Sequence, residues 1–228
     1  MQNPLLLVPG PDPLEDFRRA FFGPYDHYLG WHGGYDANFS VLDRLTPHHR
    51  LLAQAELCQA LRAQTADPRA VLGLGHLRSR ASLPVLHDNL MSFGIYALGA
   101  IASIDPAALA TDRVLALLSS NKLSEGQLYR LAIGLGTYFT RGQLDPRVPA
   151  QLLELVAHQQ YLVRYHALAA LRRLYHLPDP AAGNGVTITR ADISRDTLFG
   201  YISTNGRAAD FRRAQDLLQT QIQAATSS

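Results

Sequence analysis

Apolar residues recur along this chain at helical spacing, and no stretch sustains an alternation of period two. After Thr46, Leu51, Ala55, Cys58 and Leu61 (or Leu57) share one stripe; after Asp67, Val71, Leu74 and Leu77 do the same. After Ser124 the stripe is Leu128, Leu131, Leu135 and Phe139, and between Gln160 and Leu177 it is Val163, Ala167, Leu171 and Leu174. A capping residue stands directly before proline at Asp12-Pro13, Thr46-Pro47, Asp67-Pro68, Asp105-Pro106 and Asp145-Pro146. The polar side chain can accept from the open amides of a first turn, where the missing N–H of proline does no harm. Asp12 to Glu15 and Ser124 to Gln127 also have the spacing of a capping box. Only Gly183 to Ile188, with Val186, Ile188 and two threonines, has strand character. The pattern predicts an all-α chain of about ten to twelve helices.

The helices read as paired repeats. Apolar cores containing small residues recur around Leu74, Leu98, Ile133 and Leu168, which lie 24, 35 and 35 residues apart. Second helices centred on Val85, Leu115 and Leu153 fit between them. Small residues follow each of these positions, Gly75 and Gly99 in the same register and Gly136 and Ala170 a residue or two later. Glycine disfavours a helix interior by about 1 kcal/mol relative to alanine, so this recurrence points to close helix–helix approach. Two helices per 30–45 residues is the signature of an α-solenoid.

Leu74-Gly75-His76-Leu77-Arg78-Ser79-Arg80-Ala81-Ser82-Leu83-Pro84-Val85-Leu86 resembles the junction between the two helices of HEAT-like repeats. Val163-Arg164-Tyr165-His166-Ala167, followed by Leu171, is similar to the start of the HEAT inner helix. Gln160 departs from the family, which usually has aspartate there. The resemblance covers roughly 67–177 and implies a HEAT-like right-handed solenoid of about four to five helix pairs with atypical terminal units. On this reading 1–66 is an N-terminal helical cap carrying an aromatic loop at 25–36, and 178–228 is a C-terminal helical cap. All three segments form one compact domain. Near its end, Thr189-Arg190-Ala191-Asp192 is placed to cap a helix reaching Ser203.

Composition narrows the class. Of 228 residues, 21 are basic and 19 acidic, a balance too even to argue for general nucleic-acid affinity. Lys122 is the one lysine, so the positive charge is carried by arginine, which suits carboxylates and interfaces better than lysine does. Genome composition is the competing explanation of that bias. One cysteine, Cys58, leaves no internal disulfide framework or zinc ribbon. The longest apolar run near the start, Leu5 to Val8, is far below the ~20 residues of a membrane span. The expectation is a cytoplasmic protein without a membrane partner.

Candidate chemistry is sparse. Asp26, His27, His32 and Asp36, with His48-His49 further on, are ligand types in spacings that match no helical metal pair, so no metal is expected. Cys58 falls on an apolar stripe, where it acts as a small hydrophobe. No nucleophile elbow, P-loop or dinucleotide fingerprint occurs, and Gly73-Leu74-Gly75 lies inside a helical repeat. Asp192 and Asp196 read as a solvated helix face. Neither catalytic residues nor a cofactor are expected.

What remains is a surface. In HEAT-like folds the second helix of each pair tends to line the concave side, which here assigns to a groove His76, Arg78, Tyr96, Tyr129, Arg130, Tyr138, Arg164, Tyr165, His166 and Arg172. Trp31 and Tyr35 in the aromatic loop form a second candidate contact. Tyrosine and arginine are enriched at interface hot spots, although several of these tyrosines equally suit a core position with a wet hydroxyl end. The resemblance implies a non-catalytic protein-binding module, a bacterial immunity or adaptor protein that occludes a partner such as a toxin. Its alternatives are a DNA-binding protein of the HEAT-like alkylpurine glycosylase kind and a small-molecule lyase.

Overall fold

In the computed structural model the described residues are 12–26, 28, 35–178, 196–203 and 206–227. The candidate strand Gly183–Ile188, the Thr189–Asp192 start, Trp31 and most of the aromatic loop lie outside them. Among the described residues the chain forms twelve α-helices and no strand. These are α1 (Pro13–Phe22), α2 (Ser40–Asp43), α3 (Pro47–Arg62), α4 (Pro68–Leu77), α5 (Leu83–Asp88) and α6 (Leu90–Ile104). They continue with α7 (Thr111–Leu118), α8 (Glu125–Tyr138), α9 (Arg147–Leu155), α10 (Tyr161–Leu174), α11 (Thr197–Ile202) and α12 (Ala208–Thr226).

The caps set where the helices begin. Carboxylate oxygens of Asp12 and Asp67 accept from the amides of Leu14 (3.0 Å) and Arg69 (2.8 Å), and the Thr46 hydroxyl accepts from His49 (3.2 Å). Ser124 and Gln127 close a full capping box at α8, whereas the same spacing at Asp12 gives a simple cap. Asp105 caps a short 3-10 turn, and α9 begins one residue past the Asp145-Pro146 pair. The buried stripes of α8 and α10 are those the periodicity marks. In α3 the stripe holds in part: Leu57, Cys58 and Leu61 are buried together with Ala53, whereas Leu51 and Ala55 face solvent.

Consecutive helices pack on one another. α4, α6, α8 and α10 form a row of neighbours, and α3, α5, α7 and α9 each pack against a member of that row. One buried apolar cluster runs from Leu14 to Leu218. Small residues set the spacing within the row. A Cβ on Gly75 would stand 2.9 Å from the Ala100 Cα, and one on Gly136 would stand 2.6 Å from the Ala170 Cα. α6 is broken at Gly94, whose φ of +29° and ψ of −100° lie outside helical geometry.

Three buried arginines tie the ends to the middle. Arg69, at the start of α4, donates to the carbonyls of Ala20 (2.8 Å) and Gly23 (3.0 Å), pairs with Asp67 (2.7 Å) and lies over the Tyr25 ring. Arg164 of α10 is 1% exposed and donates to the carbonyls of His158, Gln159, Ile202 and Ser203 at 2.7–3.1 Å. Its guanidinium carbon also sits 3.7 Å from the centre of the Phe211 ring. Arg172 pairs with Asp196 at 2.5 Å, and Asp196 in turn caps α11. These contacts correct two expectations. Arg164 and Arg172 are not groove residues, because burial commits their guanidinium groups to internal acceptors. Asp196 is not on a solvated face, because its carboxylate faces Arg172.

Exposed arginines are likewise mostly engaged. Arg80–Asp105 (2.6 Å), Arg113–Asp88 (2.7 Å) and Arg147–Asp112 (2.9 Å) each join segments 25 to 35 residues apart, and Arg18–Glu56 (2.6 Å) links α1 to α3. Much of the arginine bias therefore serves intramolecular pairing.

Candidate functional site

α4, α6 and α8 carry two adjoining clefts separated by Tyr96. The first, of about 520 Å³, is lined by His76 and Arg78 of the α4 end, Tyr96 of α6 and Tyr138 of α8, with Phe39 and Asp43 reaching in from the N-terminal cap. The second, of about 430 Å³, is lined by Tyr35, Phe93, Ile95, Tyr96, Tyr129, Arg130 and Ile133. Both exist because the helices carry small residues where they meet: Gly75, Gly99 and Ala100 floor the first cleft, and the Gly94 break sits beside the second.

In the first cleft the His76 ring stacks flat on Phe39, with centroids 4.7 Å apart and an interplanar angle of 3°. Its Nε2 is 2.7 Å from Asp43 Oδ1. This carboxylate–imidazole pair joins α2 to α4 and fixes the ring orientation. The Ser103 hydroxyl, also in the cleft, donates to the Gly99 carbonyl at 2.9 Å. Arg78 terminates α4 in a left-handed conformation, φ +52° and ψ +34°, and its side chain is exposed.

The second cleft is aromatic with one charge. The Tyr35 amide donates to the Tyr96 hydroxyl at 3.2 Å, and the two rings meet edge to face at 5.9 Å. Burial raises the Tyr35 phenol above its ordinary pKa; nearby Asp67 adds to this, whereas Arg130 works against it. Arg130 lies opposite the Gly94 break: a Cβ on Gly94 would come 3.3 Å from the Arg130 Cβ. Among the described residues no carboxylate lines this cleft.

Arg78 and Arg130 differ from most arginines of the chain. Neither guanidinium has a hydrogen-bonding or ion-pair partner among the described residues.

Of the residues singled out from the sequence, the two clefts collect His76, Arg78, Tyr96, Tyr138, Tyr35, Tyr129 and Arg130. Tyr165 and His166 flank this region without lining either cleft. Tyr165 stacks on Phe199 (5.5 Å), and His166 packs against Tyr129 (5.0 Å). Burial, followed by the charge of Arg173, holds the His166 imidazole below its ordinary pKa. Arg164 and Arg172 are internal, and Trp31 is outside the described residues. Sequence reasoning missed Phe39 and Asp43, which no local pattern links to a helix more than thirty residues on, and Gly94, whose break frames the second cleft. Cys58 is buried 3.7 Å from the Ser82 hydroxyl. Among the described residues, no three His, Cys, Asp or Glu side chains gather as metal ligands, and no helix is long and apolar enough to cross a membrane.

Compared with protein-family models, curated proteins and solved structures, the chain finds no match in any of the three.

Proposed function

We propose that this chain is a non-catalytic protein-binding module of HEAT-like solenoid architecture, an adaptor or immunity-type protein that covers part of a partner with the α4–α6–α8 face. The observation that carries the reading is the pair of unpartnered arginines, Arg78 and Arg130, set among tyrosines in adjoining clefts. Of the other described arginines, twelve are engaged by carboxylates, carbonyls or hydroxyls of the protein itself, and the four that are not, Arg19, Arg62, Arg212 and Arg213, line neither cleft. Tyrosine and arginine are the side chains that recur where interfaces concentrate their binding energy, and tyrosine loses little rotamer freedom on docking. The solenoid arrangement is supported by the helix row and by close glycine–alanine contacts within it, Gly75 with Ala100 and Gly136 with Ala170. The bacterial and cytoplasmic setting belongs to the same proposal.

A pull-down from native lysate, with and without nuclease and with mass-spectrometric readout, tests it. A stoichiometric protein that survives nuclease and co-elutes with the chain in gel filtration is expected. Its loss with Tyr138→Ala or Arg130→Glu would place it on this face. Loss of every partner on nuclease treatment would overturn the proposal in favour of nucleic acid.

A further inference from the structure

The two clefts also carry information about what kind of partner segment they fit. Among the described residues the first cleft holds one carboxylate, Asp43, hydrogen-bonded to His76 at 2.7 Å, and one guanidinium, Arg78, without a partner. Among the described residues the second has Arg130 as its single charged side chain, backed by aromatic and aliphatic walls. Both guanidinium groups lack an internal partner among the described residues, and both lie where docking would withdraw water from them. A desolvated guanidinium requires an anion that can meet its planar fork, and a carboxylate does so through two parallel hydrogen bonds. A neutral or basic segment would bury two positive charges uncompensated, which disfavours binding strongly.

Resting on the binding-module reading above, we infer that the α4–α6–α8 face takes an acidic segment of a partner protein, with Asp or Glu carboxylates on Arg78 and Arg130 and an apolar or aromatic side chain beside Tyr96. Nucleic acid fits the face less well. A phosphate backbone is held by many cations at once, typically 6–10 contacts, whereas this face offers two unengaged arginines and most of the other arginines are already paired.

The experiment is selection of random twelve-residue peptides displayed on phage against the immobilised full chain, repeated on the Arg78→Glu/Arg130→Glu chain. Fluorescence anisotropy of the recovered peptides and of a labelled oligo-dT then gives affinities. Acid-enriched peptides that weaken about tenfold for each reversed arginine are expected. Their counterparts with Asp and Glu changed to Arg should bind the reversed chain, which shows that the variant is folded. Neutral or basic peptides that need Tyr138 but ignore both arginines would overturn the acidic-segment inference and leave the binding-module reading standing. Recovery of no peptide, with oligo-dT bound through Arg78 and Arg130, would overturn both.

Discussion

Individual arginines do two separate jobs in this chain, and whether an internal acceptor reaches the guanidinium decides which. Arg164 is surrounded by four carbonyl acceptors and a phenyl face, so its guanidinium is spent on holding α11 and α12 to α10. Burial lowers its pKa from the ordinary arginine value. Arg164→Leu would leave those carbonyls without a donor at a cost of about 3 kcal/mol or more, since each buried unsatisfied group costs ~1–3 kcal/mol. Urea denaturation should show that loss, and proteolysis should begin in the C-terminal segment. Arg164→Lys should recover only part of it, because an ammonium cannot span the same fork. An unchanged midpoint for Arg164→Leu would rule out the stapling role. Gly94 acts at the same scale. With φ at +29° and Arg130 beside it, Gly94→Ala should destabilise the fold by about 1–3 kcal/mol and weaken partner binding as well. Separate stability and affinity measurements on that variant would check both effects.

Helix packing depends on which glycines face a neighbour and which face space. Gly136 meets the Ala170 backbone at a distance that leaves no room for a methyl group, whereas a Cβ on Gly126, also in α8, would find only the Tyr129 ring at 4.0 Å. Gly136→Ala should therefore destabilise by about 1–3 kcal/mol through overpacking. Gly126→Ala should stabilise by about 0.5–1 kcal/mol through helix propensity. Opposite signs in two thermal melts on one helix are the expected outcome; equal signs would mean that the α8–α10 approach is looser than described. This level was the most legible from sequence. Asp-Pro and Thr-Pro pairs are local signals and marked helix starts, and the stripes of α8 and α10 matched their buried faces because each helix carries one continuous apolar side. α3 was read only in part: Leu57, Cys58 and Leu61 are buried as marked, but its apolar residues surround the helix, so contact with α4 and α5, not periodicity, selects Ala53 over Leu51 and Ala55. The roles of Arg164 and Asp43 were illegible for another reason. Their partners are set by tertiary approach over tens of residues, and a carbonyl acceptor leaves no trace in the residue type that provides it.

At the scale of the whole molecule, partly buried histidines couple stability to pH. His87, His158 and His166 lie on three different helices or their ends, and burial is the largest cause holding each below the ordinary histidine value of 6.5. Nearby arginines add to the effect: Arg113 for His87, Arg164 for His158 and Arg173 for His166. In the unfolded chain these imidazoles take up protons near their ordinary value, whereas in the folded chain they resist until lower pH. Between the two values the unfolded state binds more protons, so stability is complete above about pH 6.5 and falls as the pH drops through and below it. The carboxylates act in a different window. Asp145 and Asp210 are held below their ordinary value by Arg147 and by the Arg207 amide respectively, so their contribution is lost only at more acidic pH. Thermal melts between pH 7.5 and 5.5 at constant ionic strength should therefore show a falling midpoint well before carboxylates protonate. His166→Gln, placed where Tyr129 and Tyr165 pack on the ring, should reduce the pH slope while also lowering the midpoint at pH 7.5. A midpoint that stays level across this range in the parent chain would mean that the three imidazoles are as free to protonate in the fold as out of it.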